Sequence, residues 1–486
     1  MNRIFLFLLL LMMTFAIFAD VKKLPVLTIH DAILLAIRKN PNVLQAELND
    51  VLQKYSLQMA EWEFKPHYTF AAKTTTMRNY SVTDDGFVTQ NSTGVDGTVT
   101  ILSPYGTKGT FASTVNQTSH FHPSLSLEIM QPLVRGFGRP IVEASLYNAR
   151  DNKKISALNI ENVLRNTVTS VINAYLDVIA AEKNLRVDED ALERAKLSAS
   201  QTQFFIKAGR KAGVELVAVE ADVARMQTNI ENDKNNLQQV RFALLNAIGL
   251  DPNIPFEFAT VDIHDLIKKY HIPTLITAKT LTIDNDIQYQ TDQMTYYGAK
   301  QRSLLTAEDS ARVELNLTGN LSAGSAADDG HNSGLSSLVN GINQSSSLTL
   351  NLVVPIDDQV AKMAVQSAKI ALKDAQIALQ HEKWNKETMT ITGWNSIYSA
   401  ERALKFADNA EKLQQKSYDI SLQKYAHGLI DSLQLQSSQQ QVISTGQALN
   451  MAEINYLKAL VNFDLMIGQT LKTWDIKMKR GSGHGS

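Results

Sequence analysis

Residues able to do chemistry occur in this chain, but not at spacings that would let them act together. Ten histidines are scattered along it, and the closest pair, His120 and His122, falls in a polar segment. No HExxH, GxSxG or phosphate-loop pattern occurs. The stretch Gly209-Arg210-Lys211-Ala212-Gly213 has the glycines of a phosphate loop but follows a helical run rather than a strand, so it reads as a turn. Thirteen methionines include Met1, Met12 and Met13, and the rest do not cluster, which gives copper handling little support. Cysteine is absent, which excludes disulfides, thiolate metal sites, thiol catalysis and lipid attachment at an N-terminal cysteine. A net charge of −2 offers no basic field to nucleic acid. The expectation is a chain that breaks no bond and holds no cofactor or metal.

The elements around these residues form a pattern that occurs twice. Each half has alternating strands, a very long helical run, a glycine break and a second helical run. A shift of 219 residues aligns Ala181 with Ala400, Glu182 with Glu401 and Leu185 with Leu404. It also aligns Gly209 with Gly428, Val223 with Val442, and Ile248-Gly249 with Ile467-Gly468. Residues 20–250 form the first repeat and 291–468 the second, with a linking region at 251–290 and a C-terminal segment at 469–480. The chain of 486 residues opens on Arg3 and the apolar run from Ile4 to Phe18, with the small residue Ala19 before Asp20. Residues 1–19 read as a secretory signal peptide, a retained anchor being the alternative. Residues 481–486 read as an appended linker.

The first repeat should hold strands at about 67–80 and 124–131, with an extra hairpin around Ser103-Pro104-Tyr105-Gly106. The second should hold strands at about 312–323 and 346–354. Leu125, Leu127 and Ile129 alternate with serine and glutamate; Leu348, Leu350 and Leu352 alternate with serine, threonine and asparagine. Such alternation suits a wall with lipid on one side and water on the other. A soluble sandwich is the competing arrangement. An open sheet edge cannot sit in a bilayer, and four strands cannot close around a pore, so the chain should assemble with copies of itself. Three copies of four strands give twelve. Helical runs from about Arg139 to Ala208 and from about Gln359 to Ala426, the second interrupted only by Gly393, are too long for one globular core. They should run beside one another as coiled coils. Ala364, Ala368, Ala371, Ala375 and Ala378 recur at spacings of four and three and form a candidate seam.

The opening helix LTIHDAILLAIRKNP (27–41), the corner QPLVRGFGRP (131–140) and the two helix pairs ending at Ile-Gly together resemble the TolC family of outer-membrane efflux proteins. The resemblance covers nearly the whole chain. It implies a trimer with a twelve-stranded outer-membrane β-barrel, four strands per chain, continued by a long periplasmic α-helical barrel with a mixed equatorial region. The implied function is that of a passive channel-tunnel in a tripartite system, exporting substrates across periplasm and outer membrane. Outer-membrane service in type I protein secretion is the alternative, and a structural coiled-coil surface protein a more distant one. Implied partners are outer-membrane lipid, a periplasmic adaptor and an inner-membrane transporter of the RND or ABC type. The turns at 209–213 and 427–431 would gather at the periplasmic mouth. Candidate aperture and docking residues are Gly209, Arg210, Lys211, Glu215, Tyr425, Gly428, Asp431, Gln434 and Ser437. Ile430 stands where the family prototype carries an arginine, and Gln434 and Ser437 where it carries aspartates. Those departures argue against an arginine latch and an acidic ring.

Overall fold

The computed structural model describes residues 26–477 except 82, 84, 118–120, 255, 260–262, 325–337 and 339–343. The expected signal peptide at 1–19, the expected linker at 481–486 and His120 lie outside the described residues. The chain divides into two units. One comprises the residues up to Leu44, Val163–Thr282 and Met389 onward; the other comprises Gln45–Asn162 and Ile283–Thr388.

In the first half, β1 (Val26–Leu27) precedes α1 (Ile29–Lys39) and α2 (Pro41–Trp62). Four strands follow: β2 (His67–Ser81), β3 (Gly86–Leu102), β4 (Lys108–Gln117) and β5 (Phe121–Pro132). After them come α3 (Arg139–Val142), α4 (Ala144–Lys207) and α5 (Val214–Ile248). The link contains β6 (Glu257–Phe258), α6 (Ile263–Lys269), α7 (Leu275–Asn285) and α8 (Ile287–Met294). A π-helical turn at Thr295–Lys300 leads into α9 (Gln301–Ser310). The second half has β7 (Glu314–Gly324), β8 (Gln344–Val353), α10 (Gln359–Ala426), α11 (Ser432–Met466) and α12 (Thr470–Thr473).

The duplication holds in backbone detail. α4 has 64 residues and α10 has 68, while α5 and α11 have 35 each. Gly209 and Gly428, paired by the 219-residue shift, have φ of +67° and +73°; Gly249 and Gly468 have +86° and +72°. A left-handed residue ends a helix and reverses the chain, and only glycine adopts it without strain. Gly249 is constrained further, because a Cβ there would lie 2.6 Å from the Lys39 carbonyl oxygen. In this unit α1 packs on the end of α5, and Asn40 donates from Nδ2 to the Ala247 carbonyl at 2.7 Å. Thr28 caps α1 by accepting from the Asp31 backbone N–H at 3.1 Å.

Two expectations about helices need correction. α4 does not begin at Arg139: the four-residue α3 comes first and the chain turns at Glu143, which is salt-bridged to Arg139 at 3.0 Å. Gly393 does not interrupt α10. A Cβ there would meet Met466 Cε at 3.1 Å and Phe463 Cδ2 at 3.3 Å, so this glycine lets α11 approach closely. Beside it Ala278, Ile397, Tyr456, Leu460, Phe463 and Ile467 form a buried cluster. Among the described residues no helix is long and apolar enough to cross a membrane.

In the other unit six strands form one antiparallel sheet in the order β2-β3-β4-β5-β7-β8. The four strands expected per chain are all present, and the extra hairpin adds β3 and β4 to the same sheet. The count of four is therefore corrected to six. β3 and β4 pair over Thr93–Leu102 and Lys108–Gln117 in an unbroken register, so over that stretch the Thr- and Gly-rich segment satisfies its backbone groups within the sheet.

Candidate functional site

Two regions carry the functional signals: the sheet and the two helix turns. In the sheet, pairing fixes which side chains share a face. Phe111 pairs with Leu127, Leu127 with Leu321, and Gly319 with Leu348. Val99 pairs with Phe111 and with Tyr68. Leu125, Leu127, Ile129, Leu348, Leu350 and Leu352 thus lie on one face, as the alternation predicted, and the face continues through Phe70, Val95, Val99 and Phe111. It is uncovered: Phe70 is 83% exposed, Leu348 75% and Leu350 62%. The opposite face carries Thr69, Lys73, Thr98, Thr110, Ser126, Glu128, Thr318, Ser347 and Thr349. Its members bond to one another, as in the Lys73–Asp96 ion pair at 3.0 Å and the Ser322–Ser345 hydroxyl pair at 2.6 Å.

The apolar face has limits. Toward the turn of the β2–β3 hairpin it gives way to Thr74, Thr76 and Arg78, paired with Thr93, Asn91 and Thr89. On β5 the apolar positions run from Leu125 to Leu133, whose N–H continues the pairing to the Leu315 carbonyl at 2.8 Å. Nine residues at ~3.3 Å, tilted ~40°, span roughly 23 Å, close to the ~25 Å apolar band of an outer-membrane barrel. The aromatic residues Trp62, Tyr68, Tyr105 and Phe137 are exposed near the lower ends of these strands. Such rings suit the bilayer interface.

The helix turns form the second region. After α4, Gly209 N–H donates to the Ile206 carbonyl and Arg210 N–H to that of Phe205; after α10, Gly428 and Leu429 repeat the arrangement on Tyr425 and Lys424. Tyr425 is fully buried. Thr202 Oγ1 donates to the Ser198 carbonyl at 2.8 Å, so the Tyr425 hydroxyl, 2.5 Å from the same Oγ1, is the donor in their pair. Phe205 meets the Tyr425 ring edge-on, and Tyr418, Leu435, Val442, Leu422 and Ile430 complete the cluster. Burial pushes the Tyr418 hydroxyl above the ordinary tyrosine range.

Lys211 links the two turns. Its Nζ lies 3.7 Å from the Tyr425 ring centroid and 2.8 Å from Glu215 Oε2. Its side chain is only 9% exposed. Of the expected aperture residues, the structure therefore brings together Lys211, Glu215 and Tyr425. Asp431 does otherwise: it caps α11, accepting from the Gln434 N–H at 2.8 Å. Arg210 is exposed and has no ion pair among the described residues. Gln434 and Ser437 are exposed, and Ser437 faces Asp222 and Arg225 of α5 across an open groove. Ile430 packs on the tyrosine cluster, which gives its apolar side chain a place that an arginine would not fill. The sequence reading missed Thr202, Phe205 and Leu435; the seven-residue spacing of Tyr418 and Tyr425 was the available signal.

Further along the same helices Asp188 of α4 is buried facing Asp233 of α5, and it accepts from Gln447 Nε2 of α11 at 3.2 Å. Burial, and then the Asp233 charge, push Asp188 up to about 6. Burial likewise pushes Asp464 up to about 6, partly offset by Thr473 Oγ1 donating to it at 3.1 Å. No group of His, Asp or Glu among the described residues is arranged to hold a metal ion.

Residues 298–469 match the sequence model of the outer membrane efflux protein family. No curated protein sequence matches the chain. Several solved structures match its fold. The CusC channel structure has a TM-score of 0.70 at 14% identity, covering 90% of this chain and 92% of that one. The Campylobacter jejuni CmeC outer membrane channel has a TM-score of 0.67 at 14% identity, covering 90% and 85%. The open-state MtrE outer membrane channel of Neisseria gonorrhoeae has a TM-score of 0.67 at 15% identity, covering 93% and 91%.

Proposed function

We propose that this chain, whose residues 298–469 match the sequence model of the outer membrane efflux protein family, works as a passive trimeric duct in a tripartite export system. On this reading the chain is an outer-membrane efflux channel rather than an enzyme, a reading that the match at 298–469 supports. The observation that carries the finer reading is the sheet: one face apolar over six strands, the other polar, with β2 and β8 left as open edges. Unpaired edge groups cannot remain in hydrocarbon, so neighbouring copies must pair them.

Two helices add support. α2 exposes Leu48, Leu52, Tyr55, Met59 and Trp62 along one stripe, and α10 exposes Met363, Ile370, Ile377 and Trp384 at seven-residue spacing. A heptad stripe left exposed among the described residues fits a neighbouring helix of another copy. On α10 the candidate alanine seam is half-buried at Ala368, Ala371 and Ala375 and exposed at Ala364 and Ala378. The helix turns expose Phe204, Val214, Val217, Leu429 and Leu433. That apolar set is the surface on which we place the periplasmic adaptor, with an inner-membrane pump supplying the energy.

The test is migration and conductance of the protein purified from the outer-membrane fraction. A heat-modifiable trimer that forms discrete channels in planar bilayers is the expected result. A soluble monomer without conductance would exclude the duct.

A further inference from the structure

We infer that each copy contributes all six strands to the barrel wall, so that a trimer closes an eighteen-stranded barrel rather than a twelve-stranded one. The inference rests on the trimeric duct proposed above. Four observations carry it, all within the sheet-bearing unit.

First, β3 and β4 are inserted between β2 and β5, with β4 paired along its whole length on both sides and β3 paired with β4 over Thr93–Leu102, so removing them would break the ladder, not trim an edge. Second, their side chains continue both faces: Val95, Val99 and Phe111 on the apolar side, Thr98 and Thr110 on the polar side. A hairpin folded over a pore or lying on the surface would have no reason to keep the lipid-side alternation of its neighbours. Third, the hairpin is anchored at its base to the strand-to-helix corner. Gly138 N–H donates to the Tyr105 carbonyl at 3.3 Å, and Thr107 Oγ1 donates to Gln131 Oε1 at 2.5 Å. Gly106, at φ +93°, approaches so closely that a Cβ would sit 2.4 Å from the Gly136 carbonyl oxygen. Fourth, the strand count is even. With every neighbouring pair antiparallel, β8 runs opposite to β2, so β8 of one copy can pair antiparallel with β2 of the next and continue the same two faces around the ring.

Barrel diameter grows roughly linearly with strand number, so eighteen strands make a lumen about half as wide again as twelve. Its wall would be lined by hydroxyl and amide side chains interspersed with charges of both signs, Lys73, Asp96, Lys108, Glu128 and Glu314 of each copy.

The chain has no cysteine, so introduced thiols report without background. One set of double variants joins Thr349→Cys on β8 with Ala71→Cys, Lys73→Cys or Thr75→Cys on β2. A second set joins Thr349→Cys with Thr110→Cys, Ala112→Cys or Thr114→Cys on β4. All are read in outer membranes on non-reducing gels. Eighteen strands predict covalent ladders ending at three copies from the β2 set and none from the β4 set. Links from the β4 set, or no β2 link in a protein that still migrates as a trimer, would overturn the inference and leave the duct intact. A β2 ladder ending at another copy number would overturn both the count of eighteen and the trimeric duct. Spin labels at Val99→Cys and Phe111→Cys provide an independent reading. They should collide with dissolved oxygen as freely as a label at Leu127→Cys, whereas preferential collision with a water-soluble reagent would place the hairpin outside the lipid wall and overturn the inference.

Discussion

Lys211 shows how much of the turn region depends on single side chains. Its ammonium is largely removed from water and has two compensations, the Tyr425 ring face and the Glu215 carboxylate. A desolvated cation–π contact contributes about 2 kcal/mol, and an exposed charge contributes almost nothing. Lys211→Ala should therefore loosen the turns and raise single-channel conductance, while Arg210→Ala leaves it unchanged; planar-bilayer recordings of the two variants make the comparison. Asp188 and Asp464 act through pH. Both carboxyls sit near 6 in the fold against an ordinary value near 4, so the folded chain holds protons that the unfolded chain has released. Their contribution is fully present below about pH 4 and is lost as pH rises through about 6. The Asp464 shift corresponds to on the order of 3 kcal/mol at neutral pH. Asp188→Asn and Asp464→Asn keep an acceptor for Gln447 and Thr473 and remove the buried charge. Both should melt higher than the parent at pH 7.5 and show a smaller difference at pH 4.5, by thermal unfolding at the two pH values.

Among the elements, β8 gives the cleanest contrast. Leu350 and Ser347 lie on opposite faces of one edge strand, and both are exposed in the single chain. An arginine toward lipid costs about 2–4 kcal/mol near the bilayer midplane, and one toward the lumen costs little. Leu350→Arg should reduce membrane-inserted trimer, whereas Ser347→Arg should assemble normally, as read by heat-modifiable migration. Equal assembly would reverse the face assignment. The helix turns obey a different rule. At Gly209 and Gly428 a Cβ would meet nothing, so only the positive φ restricts them; at Gly249 the backbone of Lys39 and Asn40 also excludes a side chain.

For the whole molecule, the proposed trimer is where exposed apolar surface would find its partner. Ile370 and Ile377 of α10 are each more than half exposed in the single chain, seven residues apart on one stripe. Charges placed there would be buried on assembly without a partner, and an unpaired buried charge costs several kcal/mol. Ile370→Glu together with Ile377→Glu should therefore lower the temperature at which the trimer dissociates on gels. Lys369→Glu, on the same helix and already polar, should change it little. Unchanged dissociation in the isoleucine variant would mean that the stripe faces water in the assembly.

What the sequence determined by itself is what local geometry controls. The duplicated register, the glycines at the turns, the Thr28 cap and the alternation of Leu125, Leu127 and Ile129 were readable because each depends on φ, helix period or strand period within a few residues. The strand count was not readable in the same way. Gly94, Gly97 and Gly109 and many threonines dilute the apolar alternation of β3 and β4, and only pairing with β2 and β5 makes them strands of the sheet. Gly393 looked like a break because its reason, the approach of Phe463 and Met466, lies about seventy residues away. The meeting of Lys211 with Tyr425 and of Asp188 with Asp233 was decided by how separate helices lie against one another. No spacing along one chain segment encodes that, because the contacts come from tertiary packing rather than from the period of either helix.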